Sequence, residues 1–408
     1  MDMEEADVRE PKMTHFLKDI LRQPEELQRT IELLAGPNGA GRRALAAATA
    51  AVRGARHVYL TGIGSSWHAA LNLSVLFHQH AHPVYLHDAA ELLTFANFPQ
   101  DSAMMVISRS GKSAEIVQLA GKARQAGVNV IGITNAPEGA LAKEAHHAIV
   151  VPIAFDYAIS VNTYTTLALA TGLLASSVTG SLDSALTASL SHSFAEAGCA
   201  IPRWQEQIAK SDWLAPRSTT YFLARGSSLG SAYESRLMWE EGVKTPATAM
   251  GTGSFRHGPQ EIVAKNVRFG IWIDGVKMRE QDLAVARDLR KLGARGMLIG
   301  QRLPEDAGDF VFQLPPIPAE WQFLIDILPA QLVAERLAGL SGVDCDTFRL
   351  SSFIVEDQGG LLPKETGKET RNSKFAQQEA DALKRAPTAR KARRVQEGKP
   401  ERDRGKKK

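Results

Sequence analysis

The sequence is poor in cysteine, in long apolar runs and in net charge. Two cysteines, Cys199 and Cys345, stand among 408 residues, too few for a disulfide framework or, by themselves, for a Cys₄ or Cys₃His zinc site. A reducing, cytoplasmic setting is expected. The longest apolar runs, 148–155 and 167–175, fall well short of the roughly 18–20 residues that a spanning helix needs, so no membrane segment is expected. The chain opens with Asp2, Glu4, Glu5 and Asp7, the opposite of the basic start of a secretory signal, and residues 1–12 are expected to form a flexible leader. The length is enough for two core-forming domains with extras.

The net charge of +3 hides an asymmetry. Residues 361–408 hold 16 basic and 7 acidic side chains, a net +9, which leaves 32 basic and 38 acidic, a net −6, for residues 1–360. The tail has one aromatic, Phe375, and almost no branched aliphatics, so it cannot bury enough apolar surface to offset chain entropy. It is expected to be disordered, solvated, and at most a weak contact for polyanions through counterion release, because no aromatics interleave its charges for stacking on bases.

Between residues 50 and 350, short runs rich in Val, Ile, Tyr and Phe alternate with segments of helical period, the pattern of βαβ units and a parallel sheet. Strands are expected at 57–60, 84–86, 103–108, 128–134 and 148–152, and again at 220–224, 245–250, 268–273, 296–299 and 310–314. Helices are expected between them, at 67–79, 113–125, 233–242 and 281–292 among others. The segments 57–77 and 220–240 both run strand, Gly-Ser-Ser, helix. Self-similarity at this scale suggests two copies of one phosphate- or nucleotide-binding unit.

The chemistry concentrates in the turns. Thr61-Gly62-Ile63-Gly64-Ser65-Ser66 lies between a strand and a helix, where small residues, hydroxyls and free helix N–H groups make an anion site. A dinucleotide fingerprint begins there with Gly62 and Gly64, but Trp67 occupies the third glycine position, where close helix–strand packing is required. Ser108-Arg109-Ser110-Gly111-Lys112-Ser113 again follows a strand and precedes a helix, bringing hydroxyls, two cations and a helix N-terminus together as a phosphate dianion requires. It is not a Walker A loop. In the second half, Ala224-Arg225-Gly226-Ser227-Ser228 precedes a helix with Glu234, Glu240 and Glu241, and Ser254-Phe255-Arg256-His257-Gly258-Pro259 follows a glycine-rich loop. A carboxylate and an imidazole suffice to open a sugar ring and move a proton between two carbons. The tract His78-Gln79-His80-Ala81-His82 contains no carboxylate, and its i,i+2 spacing sends side chains to different sides of a helix. It reads as a helix end with surface histidines, as does His146-His147.

The two Gly-Ser-Ser turns, the Ser-Arg-Ser-Gly-Lys-Ser loop and above all Glu241 followed at sixteen residues by His257-Gly258-Pro259 resemble the tandem sugar isomerase (SIS) domains. These occur in the isomerase half of glucosamine-6-phosphate synthase and in stand-alone phosphosugar isomerases, aminosugar-phosphate deaminases and deglycases. The resemblance covers about residues 13–355. It implies an α/β fold of two SIS domains, each a five-stranded parallel sheet flanked by helices in three flavodoxin-like layers: a helical segment at 13–46, domains at 47–200 and 201–355, and the basic tail at 356–408. It further implies Ser65 and Ser66 near the sugar, and Ser108, Arg109, Ser110 and Ser113 in the phosphate loop, with Arg109 replacing the family's usual Gln. Ser160 and Val161 fall in a loop at 156–166 that closes over the sugar. Glu241 becomes the proton-shuttling carboxylate and His257 the ring-opening histidine, supplied by a neighbouring subunit of a homodimer. No cofactor and no metal are implied.

Departures bear on the activity. The stretch Phe348-Arg349-Leu350-Ser351-Ser352-Phe353 holds no lysine where the synthase has one that forms an imine with the ketose, Met238 replaces another family lysine, and the amidotransferase half with its nucleophilic cysteine has no counterpart. Glutamine-dependent synthesis is not expected; Lys244 or Lys265 substitutes only if geometry allows. The expectation is an isomerase or aminosugar-phosphate deaminase acting on a hexosamine 6-phosphate or ketosamine phosphate. The alternatives are a phosphosugar-binding regulator without turnover and, through the tail, a nucleic-acid binder.

Overall fold

The computed structural model describes residues 13–350 and 354–356; the expected leader and basic tail lie outside the described residues. The chain runs α1 (His15–Leu34), α2 (Arg42–Arg53), β1 (His57–Thr61), α3 (Ser65–Gln79), β2 (Tyr85–Leu86), α4 (Ala89–Phe95), β3 (Ser102–Ile107), α5 (Ala114–Gln125), β4 (Asn129–Thr134), α6 (Ala140–Glu144) and β5 (His147–Val150). Helices α7 (Asn162–Thr179) and α8 (Ser184–Lys210) lead to β6 (Thr219–Ala224), α9 (Leu229–Met238), β7 (Ala247–Gly251), α10 (Thr252–Phe255), β8 (Val267–Trp272), α11 (Arg279–Lys291), β9 (Arg295–Gly300), β10 (Phe310–Gln313) and α12 (Ile327–Leu340).

All strands pair in parallel, in two five-stranded sheets of order β2-β1-β3-β4-β5 and β10-β9-β8-β6-β7. Numbered within each half, these are the same order, 2-1-3-4-5, so the duplication read from the two Gly-Ser-Ser turns extends to topology. Helices cover both faces, which is why the central strand β3 is buried at every residue and reads as an unbroken apolar run rather than an alternation. The expected strands are all present, with ends displaced by one or two residues.

Helix α7 is buried at all but two of its eighteen positions, as a helix apolar on all sides must be. It packs between α1 and α3, and at Gly172 the ring of Trp321 comes so close that a Cβ would lie 2.6 Å from it. The main core cluster draws on both sheets, from Leu60 and Met105 to Phe222, Trp272 and Ile299. Helix α8 runs without a break across residues 200 and 201, where a boundary between halves was expected, despite Pro202. Among the described residues no helix is long and apolar enough to cross a membrane.

Candidate active site

In the first sheet the strand order reverses between the parallel neighbours β1 and β3, which lie side by side with Leu60 opposite Met105 and Thr61 opposite Val106. At such a switch point the turns leaving adjacent strands diverge and open a crevice beyond the carboxyl ends. Both serine turns meet there. After β1, Gly62 approaches the Ser66 backbone so closely that a Cβ would fall 2.6 Å from its carbonyl carbon, and Gly64 takes a φ of +57°. These glycines start α3 at Ser65 immediately beyond the strand.

The loop after β3 is held by its own hydroxyls. Ser108 Oγ accepts from Gly111 N at 3.1 Å, and Ser110 Oγ accepts from Lys112 N at 3.2 Å. Gly111 makes the bend at a φ of +58°. Because both oxygens accept from loop amides, their O–H groups remain to donate. Ser113 stands at the N-cap of α5 with no side-chain capping bond, so its hydroxyl is also left to the crevice. Arg109 reaches across to the carbonyl of Ala158 at 3.5 Å.

These turns line a cavity of about 250 Å³ that includes Ser65, Ser66, Ser108, Arg109, Ser110 and Ser113. Ser160 and Glu241 line it as well. Six of the eight expected binding residues thus come from the two serine turns, and one, Ser160, from the loop before α7. Val161 is the exception. Fully buried and outside the lining, it spends its backbone N–H on Asp156 at 2.8 Å. Its part is to shape the loop that carries Ser160, whose Oγ lies 2.7 Å from Thr163 Oγ1.

Glu241 reaches the cavity from the second half. Helix α9 widens at its end into a π-helical turn, Trp239–Val243, closed by Lys244 in a left-handed conformation at φ +57°. Such wide turns re-aim a side chain out of the regular helical register. Burial, with the nearby negative charge of Glu234 second, pushes the Glu241 carboxyl up to about 7 against the opposing pull of Arg109 and Lys244. It can therefore exchange a proton near neutrality, the requirement for a general base working at that pH.

His257 is exposed in the turn after α10 and does not line the cavity. Within one chain it is not brought to Glu241. Neither expected substitute lysine is free in the cavity: Lys244 Nζ donates to the carbonyls of Glu241 and of Thr347, the latter at 2.7 Å, and Lys265 lies against Gly293. Phe348 lines the cavity, while Ser351, Ser352 and Phe353 lie outside the described residues. His78 and His80 are exposed at the end of α3, and among the described residues no group of three or more His, Cys, Asp or Glu is placed to hold a metal.

Sequence reasoning missed three parts of the site. Ile354 and Val355 line the cavity, and the Val355 carbonyl accepts from Ala114 N at 3.0 Å, at the start of α5. No sequence signal announces such a distant contact. Asp156, buried in the loop before α7, accepts from the backbones of Val161, Asn162 and Thr163 and from two of their side chains. Its neighbour Asp19 on α1, pushed up to about 6 by burial and then by the charge of Asp156, accepts from Tyr157 N at 2.7 Å. Third, Glu234 had been seen only as one of several helix carboxylates. Its seven-residue spacing from Glu241, two helical turns, was the available clue that both face the first half.

The switch-point crevice, its serine-rich turns and the Glu241 carboxyl that shares the cavity define a parallel-sheet α/β protein with a candidate anion site. The SIS domain family model matches residues 51–177, in the first half. The chain is similar to the glutamine–fructose-6-phosphate aminotransferase (isomerizing) of Halalkalibacterium halodurans, 26% identical over 362 residues that make up 85% of this chain and 59% of that protein. It therefore spans about three fifths of that relative's length. In fold it is similar to the glucosamine-6-phosphate deaminase of Thermotoga maritima, with a TM-score of 0.70 and 22% identity over 84% of this chain and 99% of that one. It is also similar to the tagatose-6-phosphate ketose/aldose isomerase of Escherichia coli, with a TM-score of 0.71 and 22% identity over 82% and 95% of the two chains.

Proposed function

We propose that this protein is a phosphosugar isomerase or aminosugar-phosphate deaminase acting on a hexosamine 6-phosphate or ketosamine phosphate, with both halves folded as SIS domains. The observation that carries this reading is the convergence, on one cavity, of the donor-rich Ser108–Ser113 loop and the carboxyl of Glu241. The loop and the N-terminus of α5 hold the phosphate. This fixes the sugar carbons against Glu241, so that proton transfer is intramolecular in effect. Glu241 as carboxylate takes the proton from the carbon next to the carbonyl of the open-chain sugar, and the electron pair moves to form an enediol or enolamine. The same carboxyl returns the proton to the neighbouring carbon, completing an isomerisation with no net consumption of acid, base or co-reactant. If the amine ends as an imine, water hydrolyses it and ammonia leaves. Ring opening falls to His257 of a second copy of the chain in a homodimer, since the single chain leaves that residue outside the cavity.

The decisive experiment incubates the protein with glucosamine 6-phosphate, galactosamine 6-phosphate and the fructose-amine phosphate, and measures ketose and ammonia. Turnover of at least one, abolished in Glu241→Gln while sugar-phosphate binding persists, is the expected result. Full activity of Glu241→Gln would overturn the mechanism. Binding of these ligands by the wild type without any product would leave a phosphosugar-sensing module instead.

A further inference from the structure

The two serine turns that line the cavity differ in hydrogen-bond polarity. In the turn after β3, Ser108 and Ser110 accept from backbone amides and keep their protons to give away. In the turn after β1, Ser65 Oγ donates to Glu234 Oε1 at 2.9 Å. A hydroxyl has one proton, so Ser65 presents only lone pairs to the cavity. The carboxylate that takes this proton is itself held from behind: His68 Nδ1 lies 2.7 Å from Glu234 Oε2. Facing a carboxylate oxygen, Nδ1 carries the hydrogen.

Both partners are buried, Glu234 at 1% and His68 at 4% exposure. They meet across the contact of α3 with α9, where Gly230 lets the helices approach until a Cβ would lie 2.1 Å from the His68 carbonyl oxygen. A buried carboxylate needs both oxygens satisfied, and Ser65 and His68 supply one donor each. Tyr233 on α9 faces His68, and Tyr164 on α7 and Glu241 feel the charge of Glu234; beyond them, Asp326 before α12 acts on Tyr164, and Arg109 and Lys244 act on Glu241. His68 is the group in hydrogen-bond contact with the Glu234 oxygen that Ser65 does not use.

We propose that His68 is a positioning residue that acts through Glu234 on Ser65, making the Ser65 position of the cavity an acceptor for a ligand hydroxyl or ammonium group and a poor place for a phosphate oxygen. The ligand is thereby bound in one orientation, phosphate on the Ser108–Ser113 loop and donor-bearing carbons at Ser65 beside Glu241. The inference rests on the phosphosugar reading of the cavity. It adds the residues, His68 through Glu234 and Ser65, that enforce the orientation in which the sugar lies.

Calorimetric titration of the full chain with inorganic phosphate and with glucosamine 6-phosphate tests it, using wild type, Ser65→Ala, His68→Leu and His68→Asn. Ser65→Ala and His68→Leu should each weaken glucosamine 6-phosphate by about tenfold, as expected when a polar partner of a ligand donor is lost or misaligned. Phosphate affinity should stay within about twofold. His68→Asn, which keeps an N–H toward Glu234, should recover most of the loss, a rescue that a purely space-filling role for His68 would not give. Equal losses for both probes in Ser65→Ala would make Ser65 a phosphate ligand and overturn the inference. A folded His68→Leu that binds both probes like wild type would also overturn it, and if that variant does not fold, the Ser65→Ala selectivity decides. A wild type that binds neither probe would bring down the phosphosugar reading itself.

Discussion

Glu241 sits where three charges compete. Burial and the Glu234 charge raise its proton affinity while Arg109 and Lys244 lower it, and the net result is a carboxyl at about 7. Two consequences with opposite pH trends follow. As a base it must be deprotonated, so kcat/KM should climb through an acid limb centred near pH 7. As a folded-state carboxyl above its ordinary value of 4.5, it binds more protons in the native chain than in the unfolded one between those pH values. Its favourable contribution to stability is then fully present below about pH 4.5 and lost as pH rises through about 7. Glu241→Gln removes the buried charge, so its denaturation midpoint should lie above that of wild type at pH 8 and match it at pH 5. An equal midpoint at both values would mean that the carboxyl is ordinarily solvated.

The elements that carry the site differ in how much of their role is local. The loop before α7 is held chiefly by Asp156, which collects five donors from residues 161–163, while Tyr157 N donates to the Asp19 carboxylate and Asn162 Nδ2 to the Asp19 carbonyl on the far N-terminal helix. Asp156→Ala leaves those buried donors without partners, a loss of about 3 kcal/mol or more, measurable by urea titration. It should also raise KM, because Ala158 and Ser160 on that loop line the cavity. An unchanged KM would remove the loop from the binding site. Turns of this kind explain what the sequence made legible. Strand, Gly-Ser-Ser and helix succeed one another within a dozen residues, and their geometry follows from glycine φ values and helix N-termini, so the serine turns and all ten strands could be read directly. Glu234 with His68, 166 positions apart, and the Val355 carbonyl on α5 depend on how distant elements pack. The identity of Glu241 was legible only through its spacing from His257, and the π turn that aims it was not legible at all.

At the scale of the molecule, the two sheets share strand order but not the state of their serine turns. In the second half Ser228 and Ser231 both donate to the buried Asp326 at 2.6 Å, while Ser227 donates to Ala319 O at 3.3 Å and Gln322 Nε2 reaches Ser228 Oγ at 3.4 Å. The turn that is open to a cavity in the first copy is engaged by protein in the second. The second copy contributes instead to the first copy's site, through Glu241. His257 belongs to that same half but does not line the cavity of its own chain, so on the proposed function it must serve another molecule. The body without the basic tail is net −6, so overall charge attraction does not bring two copies together, and on the proposed function the anionic ligand must be drawn by the local loop rather than by the whole field. A site shared in this way makes a quantitative prediction. Glu241→Gln and His257→Ala should each be inactive alone. When the two are unfolded together and refolded in equal amounts, half of the dimers pair one of each, and each such dimer holds one doubly defective site and one intact site. About a quarter of wild-type activity should return. If both variants are dimeric and no activity returns on mixing, His257 does not act across the subunits.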